Sequence, residues 1–408
     1  MRLAVVVDTF PRWSERFIAR ELSELARRGV DFTVFCLKSG ELPDSGDADW
    51  AGLLERRVIL QDKLSARSLA AALIKMPKLR ASLYARVPPE IADELNLVDV
   101  LRLSSASVLE QHLKDGHYRH VHAHFGGLPS SIAWFAATAA QIPLSFSVHA
   151  RDLFVEPQLL GQKLFACKRV FTCHERARLH MESEFTKLAG RHAEKVVLMR
   201  HGLPLDRFKF RSRAESLTRK KRVYILAAGR FVPKKGFLDL IDAINDPILA
   251  GRKIILTLLG DGPARAVLVN RIRALKLARK VIVHCAEGGS ALRQLFDDAD
   301  LFVAPYQEAM DGDVDGVPNV VLEAFATGLP VIGTSVGGLG EVLTEQTGTI
   351  VTTRNPRALA DGIATFLDFP EQARMKTFAA RRLVEEKYNI RNNIDPLLEL
   401  LAFDARAV

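Results

Sequence analysis

Short runs of consecutive apolar residues alternate along this chain with longer stretches whose apolar positions recur every three or four residues. Runs of the first kind read as strands buried on both faces, and the second kind as amphipathic helices packed against them. In the first half, strands are expected at Leu3–Val7, Asp31–Leu37, Arg57–Leu60, His120–Ala123, Leu144–Val148, Arg169–Thr172 and Lys195–Met199. Helices are expected at about Glu15–Arg28, Leu97–Lys114, Pro129–Ala140, Pro157–Ala166 and Glu175–Ala189. The alternation then restarts. Strands at Val223–Ala227, Lys253–Leu259, Val281–His284, Leu301–Ala304, Val331–Thr334 and Thr349–Val351 interleave with helices after Gly236, Gly262, Ser290, Pro318 and Pro356. Strand–helix alternation of this kind predicts an α/β protein with two doubly wound, Rossmann-like parallel sheets. The first domain is placed at residues 1–203 and the second at 222–386. Residues 204–221, polar and without periodicity, are read as the linker. Two such domains predict a ligand in a cleft between them, at the carboxyl ends of strands.

Composition narrows the class. The chain has 408 residues, 48% hydrophobic and 26% charged, which suits a globular protein of two domains. No apolar run approaches the ~20 residues of a membrane span. Met1 to Val7 runs directly into Asp8 and reads as a buried strand rather than a signal peptide. Cys36, Cys167, Cys173 and Cys285 form no C-x-x-C pair and are read as reduced, mostly buried thiols of a cytoplasmic protein. The net charge of +9 is spread over the chain and no nucleic-acid motif accompanies it, so nucleic acid is excluded as a partner. A local excess at residues 51–90 interleaves Lys63, Arg67, Lys75, Lys78, Arg80 and Arg86 with leucines. It reads either as a basic amphipathic surface for an anionic membrane or as the solvated face of a core helix.

The most informative stretch is Asp311–Pro330, DGDVDGVPNVVLEAFATGLP. Pro318 suits the first turn of a helix, and Gly328 followed by Pro330 ends it, so the helix is expected over Pro318–Thr327. Asp315 then lies in the loop at the positive helix end and Glu323 about a turn and a half inside. Both can face one ligand, and the helix amides offer an anion site. Three other readings compete. Asp311 to Gly316 imitates the start of an EF-hand loop, but its twelfth position is Leu322 rather than Glu. The two Asp-x-Asp pairs imitate a metal–diphosphate motif. The plainest alternative is a solvated acidic loop before an ordinary helix.

This stretch resembles the Glu-x7-Glu signature of glycosyltransferase family 4, retaining enzymes of the GT-B fold, in the pattern of its exopolysaccharide-building members. Glu323-Ala324 and Thr327-Gly328-Leu329-Pro330-Val331 match, while Asp315 stands where the family usually has Glu. The resemblance implies that Asp315, Gly316, Val317, Pro318, Asn319 and Glu323 bind the donor nucleotide sugar. It extends to Gly229-Arg230 and Lys235-Gly236-Phe237, which implies that Arg230 and Lys235 hold the donor diphosphate and stabilise the leaving group. It covers Gly260-Asp261-Gly262-Pro263, with Gly260 and Gly262 near the nucleotide, and Gly337-Gly338-Leu339-Gly340-Glu341, a loop that either approaches substrate or makes a structural turn.

In the first half, ten of the eleven histidines lie between His112 and His201. His120, His122 and His124 share one strand face, which makes zinc conceivable, but Asp or Cys ligands at metal spacing are missing nearby. The resemblance instead makes His124 the group that reaches the donor sugar, leaving His122 a core histidine. It places His149 and Asp152 beside the sugar and acceptor pocket; Asp152 alternatively caps a helix. Thr9 to Ile18 resembles the Ser-Glu-Thr-Phe-Ile version of the first loop, with Arg16 for Thr, and puts Ser14 and Glu15 on the acceptor side. Ser14 is equally a helix N-cap.

The expected activity is a metal-independent retaining transfer of a sugar from a nucleotide-diphosphate sugar, with UDP the expected nucleotide, to an acceptor hydroxyl. His124, Arg230, Lys235 and Asp315 form its catalytic set. No cofactor and no metal are expected. The acceptor is read as a saccharide or glycolipid in surface polysaccharide assembly, and the enzyme as cytoplasmic, peripheral on the inner face of the membrane. The resemblance also places residues 387–408 as a helix packing back on the first domain. The alternatives are a GT-B epimerase or phosphorylase and a non-catalytic nucleotide-sugar-binding protein.

Overall fold

The computed structural model describes residues 2–41, 50, 52–65, 70, 74, 81, 100–154, 159–189, 193–212, 222–285 and 289–406. The chain divides into two compact units, one of residues 1–200 with 391–408 and one of residues 201–390.

The first unit is a seven-stranded sheet in the order β3-β2-β1-β4-β5-β6-β7. Its strands are β1 (Arg2–Phe10), β2 (Asp31–Ser39), β3 (Arg57–Ile59), β4 (His120–His124), β5 (Leu144–Val148), β6 (Arg169–Thr172) and β7 (Val196–Leu198). Every pairing is parallel. Helices such as Arg16–Arg27, Leu128–Ala140 and Glu175–Ala189 connect successive strands, because a parallel pair needs a crossover long enough to return the chain to the same sheet end. Both sheet faces are covered, which is why β1 and β2 read as nearly continuous apolar runs, while β4 and β5 alternate apolar residues with buried His and Ser.

The second unit repeats the design with six parallel strands in the order β10-β9-β8-β11-β12-β13. They are β8 (Val223–Ala228), β9 (Ile254–Leu259), β10 (Val281–His284), β11 (Leu301–Ala304), β12 (Val331–Gly333) and β13 (Thr349–Ile350). In both units the first strand lies between strands that run off in opposite directions: β1 between β2 and β4, β8 between β9 and β11. This is a topological switch point, where the loops leaving two adjacent strands diverge and open a crevice at their carboxyl ends.

The strand expectations correspond to observed strands, four with the same ends and the rest with ends moved by at most three residues. The helices differ more. The expected helix Pro157–Ala166 is observed as Leu160–Ala166, preceded by a short helix Ala150–Phe154, and residues 155–158 lie outside the described residues. The segment 387–408, expected as one helix, holds two, Ile390–Asn393 and Asp395–Arg406. Pro396 at the second position of the latter fits a first helical turn. Most of the basic segment 51–90 lies outside the described residues.

The linker boundaries need correction. Residues 203–212 pack on the second unit instead of standing apart. Leu203, Leu205 and Phe208 join its core with Phe325 and Tyr388, and the Arg211 amide donates to the Thr327 carbonyl at 3.1 Å. Polar residues around a few apolar anchors hid this packing from a periodicity argument. Residues 213–221 lie outside the described residues. The helix Asp395–Arg406 belongs to the first unit. Leu397, Leu400 and Leu401 share a core with Leu3, Val5 and Phe32, and Arg28 donates to the Arg391 carbonyl at 2.6 Å. Cys285 is exposed, unlike Cys36, Cys167 and Cys173.

Candidate active site

In the second unit, β8 ends at Ala228 and β11 at Ala304, side by side at the switch point. After β8 the backbone passes through Gly229 at φ +149°, where a Cβ would come within 3.0 Å of Lys235 Cε. The chain then turns through Pro233–Lys235 and enters the helix Phe237–Ile244 from Gly236 at φ +63°. A Cβ on Gly236 would lie 1.8 Å from the Pro305 carbonyl, so only glycine lets this turn close against β11.

That close approach seats Lys235 below the loop that follows β11. Its Nζ lies 3.9 Å from the centroid of the Tyr306 ring and 2.8 Å from Asp315 Oδ2. Lys234 Nζ lies 3.2 Å from Asp315 Oδ1 and 2.9 Å from Asp313. Burial opposes the charge on Lys235, but the Asp315 carboxylate outweighs it and raises the pKa above the ordinary lysine range. Burial likewise opposes ionisation of Asp315, and the two lysines outweigh it and lower its pKa. Both groups are therefore charged at neutral pH. The desolvation each suffers is offset by its partner.

Asp315 is held from behind by backbone. The Gly338 amide donates to the Asp315 carbonyl at 2.9 Å, and Gly337 adopts φ +62°. A Cβ on Gly337 would lie 2.4 Å from that carbonyl, and one on Gly338 2.6 Å from the Gly316 carbonyl carbon and the Val317 amide. The Gly337-Gly338 pair thus positions Asp315 through Val317.

The helix of the signature runs Asn319–Thr327, with Pro318 as its N-cap at φ −77°, ψ 121°, one residue later than expected. Proline has no N–H and no polar side chain to cap with, so its extended ψ turns the chain into the helix. Gly328 closes it in the left-handed conformation. Glu323 is 4% exposed on this helix, and Asn319 Oδ1 is shielded from solvent with no hydrogen-bond partner among the described residues. A buried orphaned acceptor at a helix N-terminus suits a ligand that brings its own donor.

Arg230 differs from Lys235. It is exposed, with no ion-pair partner among the described residues. Gly260 and Gly262 lie behind its loop: a Cβ on Gly260 would come 2.0 Å from the Gly229 carbonyl, and one on Gly262 2.7 Å from that of Phe231. Both glycines therefore brace the Arg230 loop. Lys234, Asp313 and Tyr306 were not among the expected site residues. The family pattern singles out one lysine of the Lys234-Lys235 pair, and only the turn geometry shows that both reach Asp315.

In the first unit, β1 and β4 end at the other switch point. Ser14 lies in the turn Trp13–Glu15, and the helix Arg16–Arg27 has Glu15 as N-cap without a side-chain bond, so Ser14 is not the cap. Glu15 Oε1 accepts from Arg12 Nη1 at 3.0 Å, while Oε2 is buried without a hydrogen-bond partner among the described residues. Burial pushes the Glu15 pKa up to about 7; Arg12 opposes the rise, and Asp8 and Asp152 add to it.

His124 closes β4, 2% exposed, with Nε2 3.7 Å from Glu21 Oε2 and Phe17 packed against its ring. His149 stacks on Phe125 at 4.4 Å and on Phe17 at 5.0 Å between centroids. His122 is a core histidine. Its ring nitrogens meet Ser145 Oγ at 2.8 Å and Ser147 Oγ at 3.2 Å, and burial, with His124 and His120, lowers its pKa so that it stays neutral. Asp152 Oδ2 accepts from the amides of His149 at 3.1 Å and Gly126 at 2.7 Å. The first bond caps the helix Ala150–Phe154 and the second ties the loop after β4 to it. Lys163, also unexpected, is fully buried and donates to the Gly126 carbonyl and to Ser130 Oγ. Gly126 is therefore held through its amide by Asp152 and through its carbonyl by Lys163.

Two switch-point units with these motifs define a glycosyltransferase fold of the GT-B class. Residues 208–382 match the family of glycosyl transferases group 1. WcaL of Escherichia coli (strain K12), provisionally named a colanic acid biosynthesis glycosyltransferase, is 30% identical over 214 residues, 51% of this chain and 52% of WcaL. TuaC of Bacillus subtilis (strain 168), named with the same reservation for teichuronic acid biosynthesis, is 28% identical over 281 residues, 65% of each chain. The chain thus spans about half to two thirds of the length of these relatives. Among solved structures, Anabaena Alr3699/HepE in complex with UDP superposes with a TM-score of 0.70 at 16% identity, covering 98% of this chain and 100% of HepE. Sucrose-phosphate synthase from Thermosynechococcus elongatus superposes with a TM-score of 0.70 at 18% identity over the whole of both chains.

Proposed function

We propose that the chain is a retaining glycosyltransferase that moves a sugar from a UDP-sugar to an acceptor hydroxyl of a saccharide or glycolipid in surface polysaccharide synthesis. The observation that carries the reading is the array of Lys235, Lys234 and Asp315 beside the Asn319–Thr327 helix, at the switch point of the second unit. A departing nucleoside diphosphate gains negative charge as the glycosidic bond breaks. Arg230 and Lys235 supply fixed cations to it, and the helix N-terminus supplies amide dipoles. Glu323 takes the ribose hydroxyls and Asp315 the hydroxyls of the donor sugar. In this reading His124 stabilises the positive charge that develops near the reacting carbon. Transfer proceeds on one face of the sugar, with the leaving diphosphate drawing the proton from the acceptor hydroxyl.

We further propose that no metal takes part. Asp313 and Asp315, the carboxylates that a divalent ion would use, are already met by Lys234 and Lys235. HepE, described in complex with UDP, supports the nucleotide, and WcaL and TuaC support the polysaccharide setting. In this reading the protein works at the cytoplasmic face of the membrane; among the described residues no helix is long and apolar enough to cross it.

The test is to incubate the protein with UDP-sugars and oligosaccharide acceptors and read UDP release and product anomer by NMR. Retention of configuration, undiminished in EDTA, is expected. An inverted product, or activity lost in EDTA and restored by manganese, overturns the corresponding part. Isomerised donor without acceptor points to an epimerase, and UDP binding without release to a binding protein.

A further inference from the structure

The first unit has a groove of about 770 Å³ at the end of its sheet opposite to His124 and Asp152. Its walls include Arg119 and Lys168, the residues just before β4 and β6, and Ile142, two residues before β5. These are the amino ends of strands, so the groove is separate from the switch point. Arg119 and Lys168 are exposed, and neither side chain has an ion-pair partner among the described residues. Lys114 adds a third cation, although it bonds Glu110 at 2.7 Å. Among the described residues, no Asp or Glu lines the groove. The remaining wall is largely apolar. Trp134 is 1% exposed with its indole Nε1 lacking a hydrogen-bond partner among the described residues, and Phe403 presents a ring 65% exposed.

A small anion alone would leave the apolar wall unused, and a neutral apolar ligand would leave Arg119 and Lys168 unused. We propose that this groove binds an anionic phospholipid. Its phosphate sits between Arg119 and Lys168 and its first acyl carbons lie against Ile142 and Phe403, with the buried Trp134 directly behind this wall. Guanidinium and ammonium groups attract an anionic headgroup, and the exposed Phe403 ring offers apolar surface beside them. The site would hold the first unit to a membrane by a surface other than the one that carries the chemistry. It does not depend on the transferase reading.

The experiment floats the full chain with vesicles of phosphatidylcholine alone or mixed with phosphatidylglycerol. Binding is expected only to the mixed vesicles, and inorganic phosphate at matched ionic strength should not displace it. Arg119→Gln with Lys168→Gln, both exposed, should weaken partitioning roughly thirty-fold, taking the typical contribution of two cations at an anionic surface. Brominated acyl chains should quench the part of the tryptophan emission that disappears in Trp134→Phe. Equal binding to both vesicles overturns the proposal. So does unchanged binding by the double variant, or loss of binding on Arg56→Gln with Lys63→Gln instead. Displacement by phosphate shows a free-anion site and also overturns the lipid assignment. The assay reads no sugar transfer, so its failure leaves the transferase reading standing, and failure of that reading leaves this one.

Discussion

Lys235 Nζ lies 2.8 Å from Asp315 Oδ2, a contact between the end of the β8 loop and the loop that precedes the signature helix. The two residues are 80 positions apart, and each holds the other in its charged state. Asp315, with its pKa depressed, contributes stability above the ordinary aspartate range that is lost only as the pH falls below that range. Lys235, with its pKa raised, contributes stability below the ordinary lysine range that is lost only as the pH rises above it. The pair is therefore intact across the neutral range, and pH dependence there must come from elsewhere.

Lys235→Ala and Arg230→Ala should be told apart by stability. Lys235→Ala leaves Asp315 buried without its main partner, so it should cost about 3–5 kcal/mol in unfolding free energy as well as turnover. Arg230 is exposed, so Arg230→Ala should lower turnover by about 10²–10³-fold with a stability change within about 0.5 kcal/mol. Urea unfolding and kcat/KM on both variants check this. Near-normal turnover in Arg230→Ala would remove it from the diphosphate site.

Asp315→Glu lengthens the side chain by one methylene, ~1.5 Å, inside a ring closed by two lysines. It should change the ranking of donor sugars more than the affinity for UDP. Glu323→Ala should weaken UDP and every UDP-sugar alike. Calorimetric UDP affinities and turnover with several UDP-sugars decide it; an unaltered ranking, or intact UDP binding in Glu323→Ala, ends this division of labour.

Gly337→Ala places a Cβ 2.4 Å from the Asp315 carbonyl on a backbone at φ +62°. The expected result is a loss of turnover comparable with that of an Asp315 variant, although residue 337 reaches no substrate by its side chain. A Gly29→Ala control, also at positive φ but with open space around its Cβ, should keep full activity.

Glu15 has its pKa raised to about 7 from 4.5. The folded state binds this proton more tightly than the unfolded chain does, so stability falls as the pH rises from about 4.5 to 7 and the whole penalty is present above 7. Glu15→Gln should remove that slope and make the protein more stable than the parent at pH 8 but not at pH 4.5. Denaturant unfolding at several pH values gives the slope; parallel curves for parent and variant would show that Glu15 does not titrate in this window.

The sequence alone determined the strands, the restart that marks the second sheet, and the signature helix with its Gly328 stop. These follow from local rules: buried parallel strands are runs of apolar residues, and glycine and proline punctuate helices whatever surrounds them. It also singled out Arg230, Lys235, Asp315 and Glu323 as candidates, because the signature spacing survives in one dimension. Only the tertiary structure decided what these residues touch. That Lys234 joins Asp315, that Gly337 and Gly338 hold its backbone, that Gly260 braces the Arg230 loop and that Lys163 and Asp152 clamp Gly126 all depend on loops distant in sequence meeting at strand ends. The attachment of residues 203–212 to the second unit was hidden for the same reason. A few apolar anchors in a polar segment have no period, and what they bury against is set by the sheet they meet.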